Sequence, residues 1–210
     1  MIRVILCDDH ALIRRGIRDT LSDAADIEVV GEAGDYGELR ALLRDKTADV
    51  LVLDINLPGR SGLDLLEDIH ALRPNLPVLI LTIYSEQQYA LRALKSGAAG
   101  YLTKETAPER LAEAVHKVVG GGRYVTPTLA ERLASMVRSG FEGAPHDQLS
   151  EREFRVFRLL AAGKTVSQIA GTLHLSVKTI STYRARTLEK LGLATNAELT
   201  QYAVRNGLVE

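Results

Sequence analysis

The chain has 210 residues, of which 46% are apolar and 25% charged, and a formal net charge of −1. That composition suits one large globular domain or two small ones. A single cysteine, Cys7, excludes an intramolecular disulfide, and no apolar run approaches the roughly 18 residues of a membrane span, so a cytoplasmic protein is expected.

Ile2 to Cys7 reads as a strand, with Cys7 an inert buried thiol at its end. Leu12, Ile13, Gly16, Ile17 and Leu21 then recur at helical spacing. Glu28 to Ala33 is a short strand, and Leu39, Leu42 and Leu43 mark the next helix. Val50 to Leu53 is apolar on both faces, as a strand buried in a parallel sheet must be, and ends abruptly in Asp54 and the turn Ile55 to Gly59. Leu63, Leu65, Leu66 and Ile69 lie on a helix that Pro74 and Pro77 end. Val78 to Thr82 is a fourth strand, Gln88 to Ser96 a helix stopped at Gly97, and Gly100 to Leu102 a fifth strand. Leu111, Val115, Val118 and Val119 mark a fifth helix that ends at Gly120, Gly121 and Gly122. Five strand-then-helix units imply a five-stranded doubly wound parallel sheet over 1–121. A partly helical linker is expected over 122–147: Thr126-Pro127-Thr128 can open a helix with Leu129, Leu133, Met136 and Val137 on one face, before a flexible stretch to Asp147. Residues 148–210 show only four helical patterns and no strand, so a second, smaller all-α domain is expected.

Charge divides along the same boundary. Residues 1–121 hold 14 Lys and Arg against 19 Asp and Glu, whereas 148–210 hold 9 against 5, which suggests nucleic acid as a partner for the small domain.

Asp54 stands at the C-terminal end of its strand, where open α/β sheets collect ligands. Asp8 and Asp9 follow the first strand, Thr82 ends the fourth and Lys104 lies just past the fifth. Taken singly, Asp8-Asp9 could cap a helix before His10, Thr82 could be a strand-end hydroxyl and Lys104 a solvated charge. Together, carboxylates crowded at one end of a sheet call for a cation, and Mg2+ suits because it needs few protein oxygens and keeps its waters. His10, His70, His116, His146 and His174 lack metal-ligand spacing and are placed on surfaces or turns. No Gly-rich loop follows the first strand, which argues against a nucleotide-binding Rossmann domain.

In the basic domain, Ser150 caps a helix of about four turns with Val156, Phe157 and Leu160 buried. Thr165 to Leu173 is a short helix, His174-Leu175 a turn, and Ser176 caps a longer helix to Leu191-Gly192. This is a helix-turn-helix pattern. Val177, Ile180, Leu188 and Leu191 are assigned to the apolar side of the long helix. Lys178, Thr179, Ser181, Thr182, Ala185 and Arg186 lie on the other, a face small enough for a major groove and rich in donors. A helical protein-interaction domain is the plainer alternative.

Residues 1–121, through Asp8-Asp9, Asp54, Thr82, Tyr101 and Lys104, resemble the receiver domain of two-component response regulators, which is flavodoxin-like. Leu149-Ser150-Glu151-Arg152-Glu153, Ala162-Gly163-Lys164 and Leu175 to Ile180 are similar to the LuxR-type output domain, so the whole chain resembles the NarL/FixJ family. The resemblance implies that Asp54 is the phosphoacceptor. It also implies that Asp9, Asp54 and the Asn56 carbonyl ligate Mg2+, with Asp8 acting through water, and that Thr82 and Tyr101 form a switch beside Lys104. Implied partners are a sensor histidine kinase, promoter DNA, a second copy on phosphorylation through Ala197 to Asn206, and RNA polymerase. No external substrate turnover is implied. Two departures stand out: Glu105 replaces the proline that many receivers have after this lysine, often with a cis bond, and Tyr183 stands where many members have histidine. A Mg2+-dependent phosphatase would leave the basic helices unused and lacks a second acid at Asn56. A LuxR-type small-molecule sensor would leave Asp8, Asp9 and Lys104 unexplained.

Overall fold

The computed structural model describes residues 1–58, 60–138 and 144–209. Parallel strands β1 (Ile2–Cys7), β2 (Ile27–Ala33), β3 (Val50–Leu53), β4 (Val78–Thr82) and β5 (Gly100–Thr103) stand in the order β2-β1-β3-β4-β5. Helices α1 (Ala11–Ser22), α2 (Tyr36–Asp45), α3 (Gly62–Leu72), α4 (Glu86–Lys95) and α5 (Ala107–Val119) alternate with them. Successive strand residues point to opposite faces. Val4, Leu6, Val52, Leu79, Leu81 and Leu102 accordingly share one core with Ile17 and Leu21 of α1 and Leu111, Val115 and Val118 of α5. The intervening Ile5, Leu51 and Ile80 are equally buried on the other face. Helix starts are capped by the residues whose side chains accept best: Asp35 Oδ1 from the Glu38 N–H, and Ser61 Oγ from the Leu63 N–H.

The chain forms two compact units, Met1–Ala134 and Ser135–Glu210. Helix α6 (Pro127–Arg138) begins inside the first. Ahead of it, Tyr124 returns to β5 with its N–H on the Ala99 carbonyl and its own carbonyl accepting from the Tyr101 N–H, a parallel bridge opposite Gly100. Gly100 is required there because a Cβ would stand 2.8 Å from the Tyr124 Cβ and 2.9 Å from its carbonyl oxygen. Leu129 is buried. The side chains of Met136 and Val137, assigned to the apolar face of α6, the flexible stretch over 139–143 and Gly59 of the turn after Asp54 lie outside the described residues.

The second unit holds a 3-10 turn (Pro145–Gln148), α7 (Glu151–Ala161), α8 (Val166–Leu173), α9 (Val177–Leu191) and α10 (Asn196–Arg205). Ser150 with Glu153, Thr165 with Gln168 and Thr195 with Glu198 each form a reciprocal cap. Helix α7 has three turns rather than four, because Gly163 at φ 81° turns the chain out of the helix. Two apolar assignments are corrected: Leu12 is 84% exposed and Val177 51% exposed, each in the first turn of its helix. Thr187 takes the buried place in α9 that Val177 does not, its hydroxyl donating to the Tyr183 carbonyl at 2.8 Å. His146, placed on a surface or turn from the sequence, lies in the 3-10 turn but is buried, with Nδ1 2.9 Å from the Tyr202 hydroxyl.

His116 joins α5 to the loop before β2, with Nδ1 2.7 Å from the Ala112 carbonyl and Nε2 2.7 Å from Asp26 Oδ2. Two acceptors suit a doubly protonated ring, and the hydrogen bond to Asp26 first, then that to the Ala112 carbonyl, raise the His116 pKa above 6.5 against slight burial. The tie therefore contributes its full stability below pH 6.5 and loses it as pH rises through the folded-state value. Expected is a melting-temperature gap between wild type and His116→Gln that narrows from pH 6 to pH 9; a constant gap would refute it.

Candidate functional site

The backbone ladder runs one residue past the strands. Cys7 lies opposite Leu53, and the Asp54 N–H donates to the Cys7 carbonyl at 2.8 Å, so Asp8 and Asp54 emerge side by side. This is where the strand order reverses, the position at which doubly wound sheets form a crevice. Likewise the Lys104 N–H donates to the Thr82 carbonyl at 2.8 Å. The sheet thus gathers Asp8, Asp54, Thr82 and Lys104 at one end.

Lys104 Nζ lies 2.6 Å from Asp8 Oδ2 and 2.6 Å from Asp54 Oδ2. Burial pushes the Asp54 carboxyl above its ordinary value, with Lys104 pulling against it. Burial likewise works against the charge on Lys104, but hydrogen bonds to Asp54 and Asp8 outweigh it and leave its pKa raised. Asp54 Oδ1 and Thr82 Oγ1 are buried with no hydrogen-bond partner among the described residues. Buried oxygens of that kind are costly unless something else meets them. Asp9 is half-buried, its Oδ1 2.5 Å from His10 Nδ1, and ligand atoms of Asp8, Asp9 and His10 lie within 4.8 Å of one another. Neither acid caps α1: the N-cap is His10, which makes no side-chain cap, while Asp8 Oδ1 accepts from the His10 N–H. The Asp8 and Asp9 carboxylates, close to one another beside the buried Asp54, offer the oxygen ligands that a hard divalent cation prefers.

Tyr101 is wholly buried with its hydroxyl donating to the Tyr84 carbonyl at 2.9 Å, so it already faces inward. The Lys104–Glu105 peptide is trans, like every described peptide bond. Cys7 is buried, and burial first, then the negative charge of Asp8, push its thiol up to about 12, in keeping with an inert group.

Two supporting residues carry no signal at sequence level. Arg14 donates to the Asp8 carbonyl and pairs with Glu32, which steadies the β1–α1 turn, but it looks like any charge on a helix. Gly62 passes so close to the phosphoacceptor candidate that a Cβ would stand 2.1 Å from the Asp54 carbonyl oxygen. Gly62→Ala is expected to cost about 1–3 kcal/mol, the usual range for overpacking. Urea titration measures this, and an unchanged midpoint would mean that the turn gives way freely.

In the second unit Ser176 caps α9 by accepting from the Thr179 N–H, and His174 at φ 53° turns the chain between α8 and α9. Ile180, Thr187, Leu188 and Leu191 face inward. Lys178, Ser181, Thr182, Ala185 and Arg186 are exposed, as assigned. Thr179 is half-buried and its hydroxyl pairs with Ser176, while the Thr182 hydroxyl bonds back to the Lys178 carbonyl. Tyr183 lies beside them, half-buried, its hydroxyl 3.4 Å from an Arg152 nitrogen.

A doubly wound sheet with an acid and lysine cluster at the ends of β1, β3 and β5, in one chain with a helix-turn-helix, defines a response regulator with a DNA-binding output domain. Residues 4–116 match the response regulator receiver domain, and residues 147–203 match the bacterial regulatory proteins of the luxR family. The response regulator GacA of Pseudomonas aeruginosa is 36% identical over 211 residues, covering 100% of this chain and 99% of GacA. UvrY of Escherichia coli K12 is 36% identical over 209 residues, covering 99% of this chain and 96% of UvrY. Among solved structures, RcsB from Salmonella enterica serovar Typhimurium, bound to promoter rprA in the presence of phosphomimetic BeF3−, is 29% identical with a TM-score of 0.69, covering 96% of this chain and 97% of RcsB. The chain belongs to the NarL/FixJ family of response regulators.

Proposed function

We propose that this regulator is switched by phosphorylation of Asp54 and acts by binding promoter DNA as a dimer. The observation that carries this is Asp54 Oδ1, which has no hydrogen-bond partner among the described residues, beside a lysine that already spans Asp54 and Asp8. Asp54 Oδ1 forms the new P–O bond as the P–N bond to a phosphohistidine of the partner kinase breaks, its electron pair leaving on the imidazole. Lys104 supplies positive charge to the equatorial oxygens, and the Thr82 hydroxyl, without an acceptor among the described residues, donates to the phosphoryl group. Asp8, Asp9, Asp54 and the Asn56 carbonyl would hold Mg2+, which when bound supplies further charge neutralisation. The site both accepts and releases phosphate on its own aspartate and turns over no external substrate. The sensor histidine kinase, RNA polymerase and a cytoplasmic setting belong to this proposal. No helix among the described residues is long and apolar enough to cross a membrane. The domain division proposed remains a receiver over 1–121, a linker over 122–147 and a DNA-binding domain over 148–210.

In the output domain, Lys178, Thr179, Ser181, Thr182, Ala185 and Arg186 of α9 are proposed to meet the major groove, and α10 to carry a contact between copies. Thr179, held in the cap, is suited to a phosphate or a peripheral role. Incubation with a small phosphodonor and Mg2+ tests the first half: one acid-stable, alkali-labile phosphoryl group per chain is expected, and none would overturn it. For the second half, loss of a base contact costs about 1–3 kcal/mol and relaxes preference at one position, whereas loss of a phosphate contact weakens all sequences and flattens the salt dependence. Lys178→Ala and Arg186→Ala are each expected to show one of these patterns on a target promoter. Wild-type binding by both would mean that another face meets DNA.

A further inference from the structure

Tyr101 is held from two sides. Its hydroxyl donates to the Tyr84 carbonyl at 2.9 Å, one residue before Ser85, the N-cap of α4, while its backbone N–H donates to the Tyr124 carbonyl at 3.3 Å. The chain that leaves Tyr124 reaches α4 itself. Thr126 Oγ1 donates to Glu86 Oε1 at 2.6 Å, and the Arg132 guanidinium donates to the Gln87 carbonyl, so that α6 grips the first turn of α4. Thr126 also accepts from the Leu129 N–H, and Leu129 is buried, which fixes the start of α6. The contacts close a ring: from Tyr101 to Tyr84, along Ser85 to Glu86 and Gln87, across to Thr126 and Arg132, and back through Tyr124 to Tyr101. All of its members lie within the unit Met1–Ala134.

A ring of this kind allows no member to shift alone. Moving the first turn of α4 strains the grip of α6, and turning Tyr101 outward breaks its hydrogen bond to the Tyr84 carbonyl just ahead of the same turn. We propose that Thr126 and Arg132 are positioning residues of the phosphoacceptor switch: through Glu86 and Gln87 they hold the first turn of α4 in the form that keeps Tyr101 inward, and so favour an anion at Asp54. This rests on the phosphoacceptor reading above. Coupling between two sites is reciprocal. If the grip favours the anion-bound form, an anion at Asp54 tightens the grip, and α6 reports the state of the acidic site.

The probe is beryllofluoride with Mg2+, titrated into the full chain, with affinity read by fluorine NMR and local order by amide hydrogen exchange. In wild type, beryllofluoride is expected to slow exchange in both the first turn of α4 and residues 127–134. Thr126→Val combined with Arg132→Ala is expected to weaken beryllofluoride binding about fivefold or more, the lower end of ordinary coupling between sites, and to abolish the response of α6. Thr126→Ser, which keeps the hydroxyl, is expected to behave as wild type. Unchanged exchange in β1 to β3 shows that the variant is folded; should it not be, Glu86→Leu cuts the same contact from the α4 side. Wild-type affinity in the double variant, or an α4 response in wild type with none in α6, overturns the proposal and leaves Asp54 as phosphoacceptor. Failure of wild type to bind beryllofluoride at all removes the phosphoacceptor reading, and this one with it.

Discussion

Asp54→Asn is expected to abolish labelling by a small phosphodonor and leave the fold intact. The loss is complete because no other oxygen occupies the same place. Asp8 is engaged twice, by Lys104 through Oδ2 and by the His10 N–H through Oδ1, and Asp9 is close to the His10 ring. Asp54 alone combines burial, a lysine on one oxygen and nothing on the other among the described residues. Asparagine is nearly isosteric, so the packing around Ile55 and Gly62 is kept, and removal of one of several crowded negative charges relieves repulsion. The amide is a far poorer nucleophile than a carboxylate and cannot form the acyl phosphate. The measurement is stoichiometric phosphate transfer with the melting temperature as the companion readout. Persistent labelling of the variant would sink the assignment, whereas lost labelling with a collapsed melting temperature would call for Asp54→Ser. Asp9→Ala is expected instead to raise the Mg2+ concentration needed.

Phosphorylation is expected to raise dimer fraction and promoter affinity together, and Thr82→Ala is expected to take phosphate yet respond poorly. One helix-turn-helix reads only a few base pairs, so useful selectivity calls for two copies on half-sites about 10 bp apart. Association is therefore the step at which a modest push has a large effect on occupancy. The Thr82 hydroxyl is buried and has no acceptor among the described residues until an anion arrives. Its loss leaves the nucleophile and Lys104 in place, which separates taking the phosphoryl group from responding to it. Because Tyr101 is inward in this structure, the switch is expected to act by shifting populations rather than by making a conformation that did not exist. Sedimentation and DNA titration of both proteins, with and without phosphodonor, give the result. Unchanged assembly and affinity in phosphorylated wild type would mean that the receiver signals otherwise.

Much of this was legible in the residues because it depends on local pattern. Val50 to Leu53 could only be a strand buried on both faces, and an acid directly after it had to emerge at the strand's end; the same holds for Asp8 after Cys7. Alternation of strand and helix then placed those ends together. What escaped notice depends on contacts between residues distant in sequence. Gly62 looks like a helix start and not like a glycine pressed against the Asp54 carbonyl. The apolar spacing that assigned Leu12 and Val177 inward says nothing about whether a neighbour reaches the first turn of a helix, and there none does. Tyr124, Thr126 and Arg132 read as linker because their partners are β5 and the first turn of α4, set by the route the chain takes after α5 and not by any periodicity.

The bridge between Tyr124 and Gly100 also bears on how the protein avoids sticking to itself. In a parallel sheet ordered β2-β1-β3-β4-β5, β5 is an outermost strand, and such strands offer unpaired amide and carbonyl groups to any passing chain. Tyr124 takes the Ala99 carbonyl and the Tyr101 N–H, and its side chain is buried in the core shared with α5. A fragment ending at Gly121 loses that bridge and leaves the Ala99 carbonyl and the Tyr101 N–H at the sheet edge without it, the kind of edge that invites pairing with another chain. The residues beyond α5 thus cover one end of an edge strand, and a fragment ending at Gly121 is expected to self-associate more readily than one ending beyond Arg132, as light scattering of the two would read.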